Sequence, residues 1–175
     1  MRLIYYSPFT IYYLLLMPGK LEVSFNSPQC GWMSIGFKDA RGEFSTTTAH
    51  APHHLALPQL LKILTELGEE SSAGAEYILP WNRDPEEFDF RFLRSQGESV
   101  LFEVYQYPTS ERELAERELV FAHLGSVQEL REAFAETFDQ LYADRNTDEF
   151  EFNWRQPFPQ KEFDRFKASL TAGNR

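Results

Sequence analysis

The chain has 175 residues, of which 42 % are hydrophobic and 15 % aromatic, and its formal net charge at pH 7 is -10. That length and hydrophobic share are typical of one globular domain with a substantial core. A surface this negative repels phosphate groups and anionic lipid head groups. It therefore argues against nucleic acid and membranes as partners, and leaves small cations or a basic protein.

The first part of the chain, residues 3–17, is largely apolar but is interrupted by tyrosines and a proline. A membrane-spanning helix needs roughly 20 apolar residues, so this stretch is too short. The residues after Met17 also lack the small side chains of a signal-peptide cleavage site. We expect residues 1–16 to be either a leader before a start at Met17 or an extra strand, and residues 17–175 to form one domain.

From Lys20 onward, several stretches alternate apolar and polar residues with the period of a β-strand, and others are apolar runs bounded by turn residues. The predicted strands are residues 21–26, 33–37, 43–48, 75–81, 88–93, 100–107 and 118–124. Turn residues at 27–29 and 39–42 separate the first three strands. This arrangement predicts an antiparallel meander.

Ser126 begins the longest predicted helix with a capping box, because its side chain and that of Glu129 can each bind the other's backbone N–H. One apolar stripe follows at three- and four-residue steps. Its members are Val127, Leu130, Phe134, Phe138 and Leu141. A short helix is predicted from Pro58 to Gly68, and a last helix from Pro159. The sequence thus predicts an α+β fold, an antiparallel sheet of about six or seven strands covered by the long C-terminal helix and a short helix.

One segment near the C terminus combines negative charge with aromatic side chains. Its residues are Glu149, Phe150, Glu151, Phe152 and Trp154. If the aromatic residues are exposed, they can anchor a basic protein, because aromatic side chains supply buried area while charge supplies speed and orientation. The same alternation is also typical of an edge strand whose aromatic residues face the core. The five residues are our predicted partner-binding site.

Two groups of side chains could support catalysis: a histidine cluster and a run of carboxylates. They are His50, His53 and His54, and Asp84, Glu86, Glu87 and Asp89. The histidines lack an evident third ligand, so we predict no metal site. The sequence contains no phosphate-binding glycine loop, nucleophile elbow or His-Glu-x-x-His motif, so we predict no cofactor and no catalytic residue. The alternative is a small-molecule enzyme with a carboxylate and histidine site between sheet and helix.

Cys30 is the only cysteine, and it cannot form an internal disulfide, which predicts a reducing, cytoplasmic location. No cationic residue lies near it in sequence. We therefore expect a small buried side chain rather than a reactive thiolate.

The order of elements resembles that of small bacterial immunity proteins of polymorphic toxin systems. The matching features are a strand hairpin with Gly31-Trp32, a leucine-rich helix at 57–67, a strand ending at Pro80, an aromatic strand at 88–92 and a capped helix. The resemblance covers about residues 20–142, and the tail after Asp144 lies outside it. It implies a soluble, cytoplasmic inhibitor that binds a toxin. We therefore expect a non-catalytic protein-binding module with a basic partner.

Overall fold

The structure is a computed structural model that describes residues 19–83 and 86–172. The strands are β1 (Glu22–Gln29), β2 (Trp32–Asp39), β3 (Gly42–Ala49), β4 (Glu76–Pro80), β5 (Glu87–Arg94), β6 (Ser99–Tyr107) and β7 (Glu118–Ser126). The helices are α1 (His50–His53), α2 (Ala56–Leu67), α3 (Val127–Asp144), α4 (Phe150–Trp154) and α5 (Gln160–Ala172). The predicted α+β class is confirmed. The predictions for residues 1–16 and for Asp84 fall outside the described residues.

The strands form two antiparallel sheets, in the orders β1–β2–β3 and β4–β5–β6–β7. The sequence pattern predicted a single sheet, because it shows which face of each strand is apolar but not which strands pair. Each sheet has one apolar face that must be covered. In this fold the two apolar faces cover each other, and the long helix α3 closes the core between them.

Aromatic rings join the two sheets and α3 in one core. Phe37 of β2 lies with its ring centroid 4.8 Å from that of Phe102 in β6 and 6.0 Å from that of Phe134 in α3. Phe138, one helical turn after Phe134, is fully buried and lies 5.5 Å from Phe25 of β1. The predicted apolar stripe of α3 therefore faces both sheets.

The predicted capping box at the start of α3 is also confirmed. The backbone N–H of Glu129 donates to Ser126 Oγ over 3.1 Å, and the N–H of Ser126 donates to the Glu129 carboxylate over 3.3 Å. The two hydrogen bonds from Ser126 lower the pKa of Glu129. The start of α3 is thus determined by residues that are neighbours in sequence.

The turn between β1 and β2 lies at Cys30 and Gly31, not at residues 27–29 as predicted. Cys30 and Gly31 have φ values of 51° and 84°, which a two-residue hairpin turn needs to match the strand twist. The Cys30 side chain is consequently exposed, and the prediction that it is buried is wrong.

The segment at residues 149–154, whose alternation is also typical of an edge strand, contains the helix α4. Phe150 and Trp154 are four residues apart, so they lie on one face in a helix as well as in a strand. Phe152 differs, because a helix turns it away from the other two aromatic residues. A strand and a helix therefore both place Phe150 and Trp154 on one face, but only a strand would place Phe152 with them.

Among the described residues, no helix is long and apolar enough to cross a membrane.

Candidate functional site

The structure divides the five predicted partner-binding residues into two groups. Phe150 and Trp154 are only 1 % and 2 % exposed and belong to the hydrophobic core. Phe152 is 79 % exposed, and Glu149 and Glu151 are exposed beside it. The buried pair therefore anchors α4, and the other three residues form the surface that a partner can reach. We call Glu149, Glu151 and Phe152 the α4 surface.

Backbone geometry and hydrogen bonds hold α4 rigidly. Glu149 before it and Arg155 after it both have left-handed backbone, with φ values of 51° and 60°. Asn153 binds the β1–β2 turn, since its carbonyl accepts from Gly31 N at 2.9 Å and its side-chain oxygen accepts from Cys30 N at 3.2 Å. The exposed Phe152 thus lies on a short helix that is hydrogen-bonded to the β1–β2 turn through the next residue, Asn153.

The electrostatic surroundings of α4 are negative. Between residues 139 and 156 the sequence contains five acidic residues and two basic ones. Aromatic rings flanked by carboxylates attract cationic side chains through cation–π contacts and charge-assisted hydrogen bonds. The α4 surface is therefore chemically suited to lysine or arginine side chains.

The predicted histidine cluster lies close to Trp154, which is buried. The His50 ring packs edge-on against Trp154 at 5.4 Å and lies 5.8 Å from the ring of His54. Burial lowers the pKa of His53, although the Glu87 carboxylate acts in the opposite direction. In the described part of the chain, no group of three or more His, Cys, Asp or Glu residues could hold a metal ion.

A carboxylate cluster does form at the start of β5, around an arginine that the sequence analysis did not single out. Arg112 Nη1 donates to Glu87 over 2.8 Å, and its Nη2 donates to Asp89. The Tyr107 hydroxyl also donates to Asp89, over 3.0 Å, and the Arg112 guanidinium lies 4.5 Å above the Tyr107 ring. These groups satisfy one another, so the cluster fastens the connection between β6 and β7 onto the sheet rather than presenting free acids or bases.

A second pair that sequence reasoning missed joins the two sheets. His123 Nδ1 in β7 lies 3.0 Å from Asp39 Oδ2 at the end of β2, and both side chains are only 3 % exposed. The two residues are 84 positions apart, and neither is part of a local motif. No sequence signal could have paired them.

Cavities of the described surface include three that lie beside α2 or on the three-stranded sheet. One of 380 Å³ lies between α2 and α5, and two of 520 and 300 Å³ lie on the outer face of the three-stranded sheet. The described groups with shifted pKa values, including Asp39, His53 and Arg112, line none of these three cavities. An enzyme site usually combines a cavity with such groups. In these three cavities the two features do not coincide.

The chain matches no protein-family model, no curated protein and no solved structure. What it does therefore has to be inferred from its own side chains.

Proposed function

We propose that the protein is a non-catalytic binding module whose α4 surface holds a basic segment of a partner protein. The observation that carries this proposal is the 79 % exposure of Phe152, close in sequence to two exposed glutamates, on a helix anchored by buried neighbours. The net charge of -10 favours the same class of partner. The resemblance to immunity proteins, which bind toxins, implies the same kind of function.

Rigid display supports binding in a way that exposure alone does not. A partner that binds a flexible segment must first order it, which costs affinity. Because Phe150 and Trp154 are buried and Asn153 holds the β1–β2 turn, α4 needs no such ordering. Exposed aromatic residues that are already fixed are typical of the residues that dominate binding energy.

The alternative, a small-molecule enzyme, has less support. Two of its four candidate carboxylates, Glu87 and Asp89, are bound by Arg112, and Asp89 also accepts from Tyr107. A general base must reach a proton on its substrate. The hydrogen bonds of these two carboxylates instead favour a structural role.

A peptide array tests the proposal. The probes are peptides with several Lys or Arg residues around one aliphatic residue, together with the same peptides in which Gln replaces each cation. We compare the unmodified protein with Phe152→Ala and with the control Leu114→Ala. Leu114 is 70 % exposed and also lies among exposed glutamates, but on the connection between β6 and β7.

We expect the unmodified protein and Leu114→Ala to capture the same cationic peptides, and Phe152→Ala to lose about tenfold in affinity. Association should slow as salt rises, because screening weakens attraction between exposed charges. Equal losses in the two variants, or equal capture of the uncharged peptides, would show that the α4 surface is not the binding site.

A further inference from the structure

The outer face of the three-stranded sheet is concave. The cavities of 520 and 300 Å³ on this face share Ser24, Gly36 and Ser45, so they form one continuous trough. These three residues are paired in register across β1, β2 and β3. The trough therefore crosses the middle of the sheet rather than lying at its edge.

The trough is deep at Gly36, because glycine has no side chain to fill the space above the backbone. A β-carbon at this position would lie 2.6 Å from Ser24 Oγ. Glycine in the interior of a central strand weakens the sheet, and it often marks a place where a ligand approaches the backbone. The neighbouring row, in which Asn26 pairs with Ser34 and Ser34 with Thr47, also contains an asparagine, a residue type that is depleted in strands. This face is thus not optimised for strand stability.

The trough presents free hydrogen-bonding groups. Within the described residues, no side-chain hydrogen bond is formed by Ser24, Asn26, Ser34, Ser45 or Thr47. Hydroxyl and amide groups can both donate and accept. Such a surface matches a ligand that also has many groups able to donate and accept.

The charges around the trough are balanced. Lys38 lies between Glu22 and Glu43 in one register row, and Arg83 lines the other end. An anion site would need a surplus of cations, and a site for basic residues would need a surplus of carboxylates. The trough therefore favours a neutral ligand.

Trp32 lies on the same face, two residues before Ser34 on β2, and is 43 % exposed. Its distance from Lys38 along the strand is about 20 Å. A flat exposed indole at the end of a row of hydroxyl groups is suited to stacking against the C–H face of a sugar ring. The length suits a short chain of sugars rather than a single sugar.

We propose that this trough is a binding site for neutral oligosaccharides, with Trp32 as the stacking platform and Asn26 and Ser34 as hydrogen-bonding partners. The inference does not depend on the function proposed for the α4 surface. A protein partner fits the trough less well, because the side chains that face outward along it, apart from Trp32 at its end, are polar or charged.

An array of neutral glycans, followed by titration with each glycan that binds, tests this inference. Trp81 and Trp154 are buried, so a change in tryptophan fluorescence on binding would report on Trp32. The variants are Trp32→Ala, which removes the platform, and Ser34→Leu, which fills the trough. Leu114→Ala is the control, since it removes an exposed hydrophobic side chain on the connection between β6 and β7. Urea denaturation verifies that each variant is folded.

We expect saturable binding of at least one neutral glycan, a loss of about tenfold in Trp32→Ala and in Ser34→Leu, and no change in Leu114→Ala. Absence of binding across the array would overturn the inference. So would binding that survives both trough variants, or competition for the site by a cationic peptide.

Discussion

The side chain of Arg131 on α3 is buried against the C-terminal end of α2, next to Gly68. Arg131 is 2 % exposed, and its partners are the carbonyl of Leu64, at 2.8 Å from Nε, and the hydroxyl of Ser169. Burial and the charge of Arg94 lower its pKa. The carbonyls at the C-terminal end of α2 carry partial negative charge, which stabilises a cation placed there.

Gly68, which ends α2, leaves the space that this guanidinium occupies. A β-carbon on Gly68 would overlap the Arg131 guanidinium, although its backbone φ of -79° suits any residue. We therefore expect Gly68→Ala to lower the free energy of unfolding by about 1–3 kcal/mol, as overpacking does. Urea denaturation measures this loss.

Gly42→Ala is the matched control, because a β-carbon at Gly42 meets no atom within 4 Å. Its stability should change little. If both glycine variants behave alike, the fit between Gly68 and Arg131 is not what stabilises this end of α2.

Among the elements, α4 shows the clearest difference between side chains that are buried in the core and side chains that are exposed to a partner. Trp154 is buried against His50, whereas Phe152, two residues earlier, is almost entirely in solvent. We expect Trp154→Ala to cost about 3–5 kcal/mol of unfolding free energy, because it leaves a large cavity. Phe152→Ala should change it by less than about 0.5 kcal/mol, as is usual for exposed positions.

Chemical denaturation of both variants, with tryptophan-independent detection by far-UV circular dichroism, checks this difference. A loss below about 1 kcal/mol in Trp154→Ala would mean that α4 is not held by its buried side chains. A loss of the same size in both variants would remove the distinction between anchor and surface on which the proposed function rests.

The elements that the sequence predicted well are those determined by neighbouring residues. The capping box of Ser126 and Glu129 and the stripe through Phe134 and Phe138 are local patterns, and both were confirmed. The structure of the segment that forms α4 was left open, because a five-residue pattern cannot distinguish a helical turn from a strand when only its ends are buried. Phe152 is exposed because the segment is a helix. The sequence could therefore locate the candidate site but not show which of its aromatic residues are buried.

For the whole molecule, the sequence does not reveal how the two sheets are joined. Asp39 and His123 meet across the gap between them, and Arg41 Nη2 donates both to Asp39 and to the carbonyl of Ala122, each over 2.8 Å. Contacts between residues so distant in sequence depend on the packing of the complete fold. Periodicity within single strands contains no information about them.

The contact of Asp39 with His123 and Arg41, which we call the junction between the sheets, makes the stability of the molecule depend on pH. Burial alone would raise the pKa of Asp39, but hydrogen bonds from Arg41 and His123 outweigh it, so the pKa is lowered. A carboxyl group whose pKa is lower in the folded state stabilises that state when ionised. The stabilisation is complete above the usual aspartate pKa of about 4, and it is lost as the pH falls through the lower value in the folded protein.

We therefore expect Asp39→Asn to be less stable than the unmodified protein at neutral pH, by about 1–3 kcal/mol, because the ionised acceptor of two charge-assisted contacts is lost. The difference should shrink in strong acid, where the carboxyl group of the unmodified protein is itself protonated. Urea denaturation at several pH values measures both proteins, and Asp164→Asn, at an exposed position on α5, serves as the control for a general effect of removing negative charge. A difference that stays constant from neutral to acid pH would mean that the ionisation of Asp39 does not stabilise the contact between the two sheets.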